Sequence, residues 1–231
     1  SLVINQSQPL SGEIKISGAK NAVLVIMASL ILTSGKSKLT NVPNSSDVFQ
    51  MIALLESLGA QINFDPVLGV LEVDTSTINK YKVSSDLMKK MRASILVMGP
   101  LLARFKKAEV ALPGGCVIGA RPIDYHLKLF ARMGIDIQFS GEFLTASTSM
   151  IKSARLILEY PSVGATENAL MAAIMGSGPT QIINAAIEPE VLDLITVLRK
   201  MGAVINILPP ATIEIYPANQ LNPIEHEIMP D

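Results

Sequence analysis

Val48-Phe49-Gln50-Met51-Ile52-Ala53-Leu54-Leu55-Glu56-Ser57-Leu58-Gly59 has a counterpart much later in the chain, Val191-Leu192-Asp193-Leu194-Ile195-Thr196-Val197-Leu198-Arg199-Lys200-Met201-Gly202. Apolar residues fall at i, i+3, i+4, i+7 and i+10 in both, at Val48, Met51, Ile52, Leu55 and Leu58 and again at Val191, Leu194, Ile195, Leu198 and Met201. This spacing predicts an amphipathic helix closed by a C-terminal glycine. A looser copy between them carries Ile123, Leu127, Phe130 and Met133 ahead of Gly134. Each copy is followed by two short alternating segments, 61–64 with 70–73, 136–139 with 143–146, and 204–207 with 212–215, which read as strands. Each is preceded by a helix that is apolar on nearly every side, over 22–32, 93–103 and 166–175, as a core helix must be. Short strands at 38–42, 109–112 and 181–184 join the two kinds of helix. One such unit cannot cover its own buried helix, but three can. The expected fold is therefore α/β, an inside-out α/β barrel of three pseudo-threefold repeats with buried central helices and outer mixed sheets.

Composition narrows the function. The 231 residues are 49% hydrophobic with a net charge of −1, so a large core is available and no basic footprint invites nucleic acid. Aromatics are only 4% and Trp is absent, which also disfavours a base-stacking surface. Cys116 is the single cysteine, so no internal disulfide forms, in keeping with a reducing cytoplasm. The N-terminus lacks signal-peptide organisation, and the apolar run 22–32 falls short of the roughly 20 residues that span a bilayer. A soluble, cytoplasmic protein without membrane contact is expected. The absence of an initiator Met and the ending at Met229-Pro230-Asp231 suggest a piece of a longer protein.

The repeats differ at one place. Val42 to Gly59 and Ala185 to Gly202 both span 17 residues (59 − 42, 202 − 185), whereas Leu112 to Gly134 spans 22 (134 − 112). The extra residues fall within Pro113-Gly114-Gly115-Cys116-Val117-Ile118-Gly119-Ala120-Arg121-Pro122, and an insertion in one repeat of a symmetric scaffold is where function is grafted. Helix N-termini preceded by Ser17-Gly18-Ala19-Lys20-Asn21, by Lys89-Lys90-Met91-Arg92 and by Pro161-Ser162-Val163-Gly164 would share one end of the domain. With Lys20 and Arg92 they would make an anion-binding end. The plainer reading is that both side chains are solvated surface charges. Cys116 is either a small buried hydrophobe or, near Arg121 and a helix start, a reactive thiol. Pro122 suits the opening of a helix. Asp124 serves equally as a helix-dipole partner or a ligand-binding residue, and His126 as a packed or a solvent-facing one. No cluster has metal-ligand spacing, and no Gly-x-x-x-x-Gly-Lys-Ser/Thr loop is present.

The segment 17–22 and the loop 113–122, with Met91-Arg92-Ala93-Ser94, Ser162-Val163-Gly164-Ala165-Thr166 and Glu188-Pro189-Glu190, closely resemble the bacterial UDP-N-acetylglucosamine enolpyruvyl transferases. The resemblance covers essentially the whole chain and identifies it as the N-terminal half of such an enzyme. It implies two similar domains with substrates in the cleft between them. Residues 1–19 would belong with the second domain, 20–228 would form the domain bearing the cysteine loop, and 229–231 would begin the crossover. The implied reaction moves enolpyruvyl from phosphoenolpyruvate to the 3′-hydroxyl of UDP-N-acetylglucosamine and releases phosphate, without cofactor or metal. Cys116 would protonate the methylene carbon, form a covalent phosphoenolpyruvate adduct, and be alkylated by fosfomycin. Lys20 and Arg121 would hold phosphoenolpyruvate, and Asn21 the sugar. Arg92, Arg121, Pro122, Ile123, Asp124, Tyr125, Ser162, Val163 and Gly164 would bind the nucleotide sugar. The missing second domain would be the partner that supplies the aspartate for the 3′-hydroxyl proton, so this half should be inactive alone. Two positions depart from the family pattern: Tyr160 stands for a lysine and Ile187 for an arginine. The alternatives are an enolpyruvyl transferase with shikimate 3-phosphate as acceptor, and a non-catalytic anion- or nucleotide-binding module.

Overall fold

A run from Ala22 to Ser29 without one exposed side chain makes the first core helix, α1 (Lys20–Ser29), which tightens into a 3₁₀ turn at Leu30–Leu32. The structure, a computed structural model, describes residues 3, 8, 9, 11–14, 16–90, 92–111 and 123–231, without the side chains of 89, 90 and 92. The first repeat continues with β1 (Lys36–Thr40), α2 (Ser46–Leu58), β2 (Gln61–Asp65) and β3 (Val70–Asp74). The second contains α3 (Ser85–Lys90), a 3₁₀ segment Arg92–Val97 leading into α4 (Met98–Phe105), β4 (Lys107–Ala111), α5 (Asp124–Arg132), β5 (Asp136–Ser140) and β6 (Phe143–Ser147). The third contains β7 (Arg155–Ile157), α6 (Val163–Ala173), β8 (Thr180–Ile183), α7 (Pro189–Lys200), β9 (Val204–Leu208) and β10 (Thr212–Tyr216), and β11 (Glu225–Glu227) follows it.

Each repeat builds its own sheet: β11-β1-β3-β2, β4-β6-β5 and β7-β8-β10-β9. The antiparallel three-strand core is the same in all. What varies is the added parallel strand. β7 lies parallel to β8, a single parallel bridge joins Lys82 to Glu109 of β4, and β11 lies parallel to β1. The leading strand of repeat one thus comes from beyond repeat three, which ties the ring together. The three sheets stay separate, so the expected α/β layering holds without a closed barrel. Asn41 and Asn184 occupy matching positions after β1 and β8, both left-handed at φ 56. Their side-chain amides donate to the carbonyls of Ile228 (3.0 Å) and Leu158 (2.9 Å), pinning the parallel partner in each case. Asparagine tolerates this backbone because its short side chain bonds locally.

The core helices share one polarity. The Arg104 guanidinium donates to the carbonyls of Ile31 (3.1 Å), Thr33 (2.8 Å) and Thr75 (3.2 Å). Lys106 Nζ donates to Ala103 (2.8 Å) and Met175 (3.2 Å). Residues Ile31, Ala103 and Met175 lie at the C-terminal ends of the three buried helices, so those ends meet at one pole, where two cations answer the carbonyls and the helix dipoles. Burial pushes both cations below their usual pKa. The N-termini point toward the other pole, roughly 15–20 Å away at 1.5 Å per residue.

The amphipathic helices close as expected, with Gly59 and Gly202 left-handed at φ 112 and 109. α5 corrects the sequence reading: its buried face is His126, Leu129, Phe130 and Met133, while Ile123 and Leu127 are only half-buried. A buried polar residue disguised the stripe. The third core helix also starts three residues before the expected position, at Val163 with Ser162 as its N-cap. At the chain ends, residues 17–19 pair with 229–231 through Ala19 N to Met229 O (2.8 Å) and Asp231 N to Ser17 O (3.1 Å). Gly18 is needed there, because a Cβ would lie 2.1 Å from the Asn41 carbonyl oxygen. Among the described residues no helix is long and apolar enough to cross a membrane.

Candidate active site

At the pole of helix N-termini, Lys20 opens α1 and Asn21 beside it is exposed. The Lys20 ammonium lies 2.8 Å from Asp47 Oδ2 in the first turn of α2, with 51% of its side chain exposed. Lys20 is therefore neither a plain solvated charge nor an unopposed anion-binding one. An exposed pair of this kind contributes about 1 kcal/mol or less, so a phosphate or carboxylate can compete for the lysine. The sequence reading did not single out Asp47, because an acid in a first helical turn is ordinary.

A second part of the site forms where α5 meets α6. Ser162 Oγ accepts from Ala165 N at 3.5 Å, capping α6, so Val163 and Gly164 present the first N–H groups of that helix. Ile123 is the residue before α5, and Asp124 and Tyr125 form its first turn. Asp124 Oδ1 is buried without a hydrogen-bond partner among the described residues, while Oδ2 is 3.8 Å from Lys128 Nζ. Lys128 Nζ also lies 5.4 Å above the Tyr125 ring. His126 joins the two helices. A Cβ on Gly164 would lie 3.3 Å from His126 Cε1, so the ring packs directly on the backbone that follows Ser162.

Asn168 holds that ring in place. Its Oδ1 accepts from Gly99 N (2.7 Å), and its Nδ2 donates to Ile95 O (3.1 Å) and contacts His126 Nδ1 (2.9 Å). The Gly99 and Ile95 bonds fix the amide orientation, so His126 accepts at Nδ1 and carries its proton on Nε2. One buried amide thus links α4, α5 and α6, and sets Ile123, Asp124 and Tyr125 beside Ser162, Val163 and Gly164. His126 and Asn168 were both legible as polar residues in apolar settings, yet neither pairing follows from sequence separation.

Cys116, Arg121, Pro122 and the Arg92 side chain lie outside the described residues. The described chain stops at buried Ala111, the end of β4, and resumes at Ile123 before α5, and the Arg92 backbone heads the 3₁₀ segment before α4. Tyr160 and Ile187 are exposed at 65% and 44%. They come three and four residues after the parallel strands β7 and β8, whose last residues, Ile157 and Ile183, are paired.

Glu167 is the site-end residue that sequence reasoning missed. It is 3% exposed on α6, and burial together with Glu190 and Glu188 raises its pKa to about 8. A carboxylate inside a helix read as apolar was itself the signal, since buried acids normally have partners.

The fold is that of the enolpyruvyl transferases. The enolpyruvyl transferase NikO from Streptomyces tendae superposes with a TM-score of 0.85 at 22% identity, over 96% of this chain and 52% of that one. EPSP synthase from Acinetobacter baumannii gives 0.74 at 16% identity, over 94% and 49%. The chain belongs to the EPSP synthase (3-phosphoshikimate 1-carboxyvinyltransferase) family, whose model matches residues 4–231. It is 45% identical over 229 residues to UDP-N-acetylglucosamine 1-carboxyvinyltransferase 2 of Carboxydothermus hydrogenoformans, covering 99% of this chain and 54% of that protein. It is 44% identical over 230 residues to UDP-N-acetylglucosamine 1-carboxyvinyltransferase of Geotalea uraniireducens, covering 100% and 55%. The chain spans about half the length of these relatives and matches their N-terminal half.

Proposed function

We propose that the protein containing this chain transfers enolpyruvyl from phosphoenolpyruvate to the 3′-hydroxyl of UDP-N-acetylglucosamine and releases phosphate. This would be the committed step of peptidoglycan synthesis, carried out in the cytoplasm in support of cell shape and division. The observation that carries the reading is that the C-terminal ends of the three core helices meet over two structural cations, so their N-termini, with Lys20 at one of them, point toward the opposite pole. Such a pole suits a highly anionic substrate. The names of the 44–45% identical relatives specify the acceptor.

In this reading Lys20 exchanges Asp47 for phosphoenolpyruvate, with Arg121 as second cation. Asn21 contacts the sugar. Arg92, Arg121, Pro122, Ile123, Asp124, Tyr125, Ser162, Val163 and Gly164 bind the nucleotide sugar. Cys116 delivers its thiol proton to the methylene carbon, leaving an oxocarbenium-like carbon for attack by the 3′-hydroxyl. Loss of a proton from the resulting methyl group, with cleavage of the bond from that carbon to the phosphate oxygen, then restores the double bond and releases phosphate. Glycines on both sides of Cys116 let the loop close and exclude water. Residues 1–19 belong with a second domain, to which 229–231 begin the crossover and which supplies the base for the 3′-hydroxyl. Tyr160 offers the nucleotide a hydroxyl instead of a charge, and Ile187 an apolar contact.

The test is phosphate release from phosphoenolpyruvate by the full-length protein, with and without UDP-N-acetylglucosamine, beside Cys116→Ala and fosfomycin-treated enzyme. Release that requires the nucleotide sugar and collapses in both controls is expected. Release with shikimate 3-phosphate instead would reassign the acceptor. No release from a folded protein with either acceptor would leave a binding module. The 231 residues alone should show no turnover.

A further inference from the structure

Glu167 is buried at the fifth position of α6, and no hydrogen bond or ion pair reaches its carboxyl group among the described residues. Among the described residues the charges that act on it are both of its own sign, from Glu188 and Glu190 at the start of α7. The two segments are tied there by Ala186 N donating to Thr166 Oγ1 at 3.1 Å. Glu188 and Glu190 are accounted for by the α7 dipole, which favours acids at a helix N-terminus. Glu167 is not, because a buried carboxylate needs a partner, and two further carboxylates make that need greater.

The described cations of α1 and α7 are engaged elsewhere. Lys20 pairs with Asp47, Arg199 donates to Ile205 O, and Lys200 donates to His226 Nδ1. A metal ion does not fit, since no group of three acidic or metal-binding side chains among the described residues is placed to hold one. Acceptors that do not converge on a point suit a planar guanidinium, whose five N–H donors diverge.

The relatives of this chain are about twice its length. Residue 229 lies against the same helix start: Met229 N donates to Asp193 Oδ2 at 3.4 Å, in the second turn of α7. We infer that Glu167, Glu188 and Glu190 form the receiving site for one arginine side chain from the part of the protein beyond Asp231. Seating that arginine docks the remainder of the protein against this half. The inference rests on the chain being one part of a longer enzyme, but not on which acceptor that enzyme uses.

The experiment is phenylglyoxal modification of the full-length protein, followed by peptide mass spectrometry, for wild type, Glu167→Gln and the double variant Glu188→Gln/Glu190→Gln. One arginine beyond residue 231 should be protected in wild type and react on the order of tenfold faster in both variants. Glu188 is exposed and Glu190 half-buried, so the double variant remains a folded test if Glu167→Gln is not. Unchanged reactivity of every arginine beyond residue 231 would overturn the inference, as would a change confined to arginines within residues 1–231. Phosphate release measured on the same wild-type sample keeps the two readings apart: turnover with no change in protection sinks this inference alone.

Discussion

Replacing Asn168 with leucine removes the amide that links three helices while nearly conserving volume. The side chain is fully buried, and its three partners are Gly99 N at 2.7 Å, His126 Nδ1 at 2.9 Å and Ile95 O at 3.1 Å. Leucine leaves each of them without that bond in a dry interior. At about 1–3 kcal/mol per orphaned buried group, and with partial relaxation, the loss should be about 3–6 kcal/mol. Urea unfolding of wild type and variant, followed by far-UV circular dichroism, measures it through the shift in midpoint at unchanged slope. A cycle with His126→Leu isolates the contact between the two side chains, which should couple by about 1 kcal/mol. Under the proposed function, the same change in the full-length protein should raise KM for the nucleotide sugar, because Gly164 loses the ring that packs on it. A loss below about 1 kcal/mol would refute the argument, since it would mean that the three partners find other bonds at no cost.

Two further outcomes follow from single contacts. Glu167 has its pKa raised from 4.5 to about 8, so between those values the native 231-residue chain holds a proton that the unfolded chain has released. Its stability should therefore fall as pH rises through that window, by at most about 1.4 kcal/mol per pH unit, and level off above it. Glu167→Gln should flatten the dependence in urea titrations from pH 5 to 8, and equal slopes would contradict the assignment. Gly18→Ala would place a Cβ 2.1 Å from Asn41 O, so residues 17–19 must separate from 229–231. Faster hydrogen exchange at the Ala19 and Asp231 amides, with a loss of about 2 kcal/mol or more, is the expected reading.

The sequence by itself determined what is local or periodic. The spacing of Val48 to Leu58 and of Val191 to Met201 set two helices and the glycines that end them, and the all-apolar runs named the core helices. Burial is periodic along one element, so these features survive without knowledge of the neighbours. The five-residue excess in repeat two marked the loop 113–122 by arithmetic alone. The motifs around Lys20 and Cys116 carried the family resemblance, which the similarity over residues 4–231 bears out.

Only the tertiary structure decided which distant groups meet. The parallel strand of repeat one comes from residues 225–227, nearly 200 positions after β1 begins, and no local pattern announces such a partner. The buried face of α5 was misread because His126 looks polar in a list of residues, and becomes a core residue once Asn168 accepts its company. Lys20 and Asp47 each look like solvated charges until two helix starts bring them to 2.8 Å. In sequence Glu167 shows only as an acid inside an otherwise apolar helix. Its burial, and the nearness of Glu188 and Glu190, depend on how α6 packs against α7. Electrostatic meaning arises from three-dimensional distance and lost solvent, and neither is written in the spacing of residues along a chain.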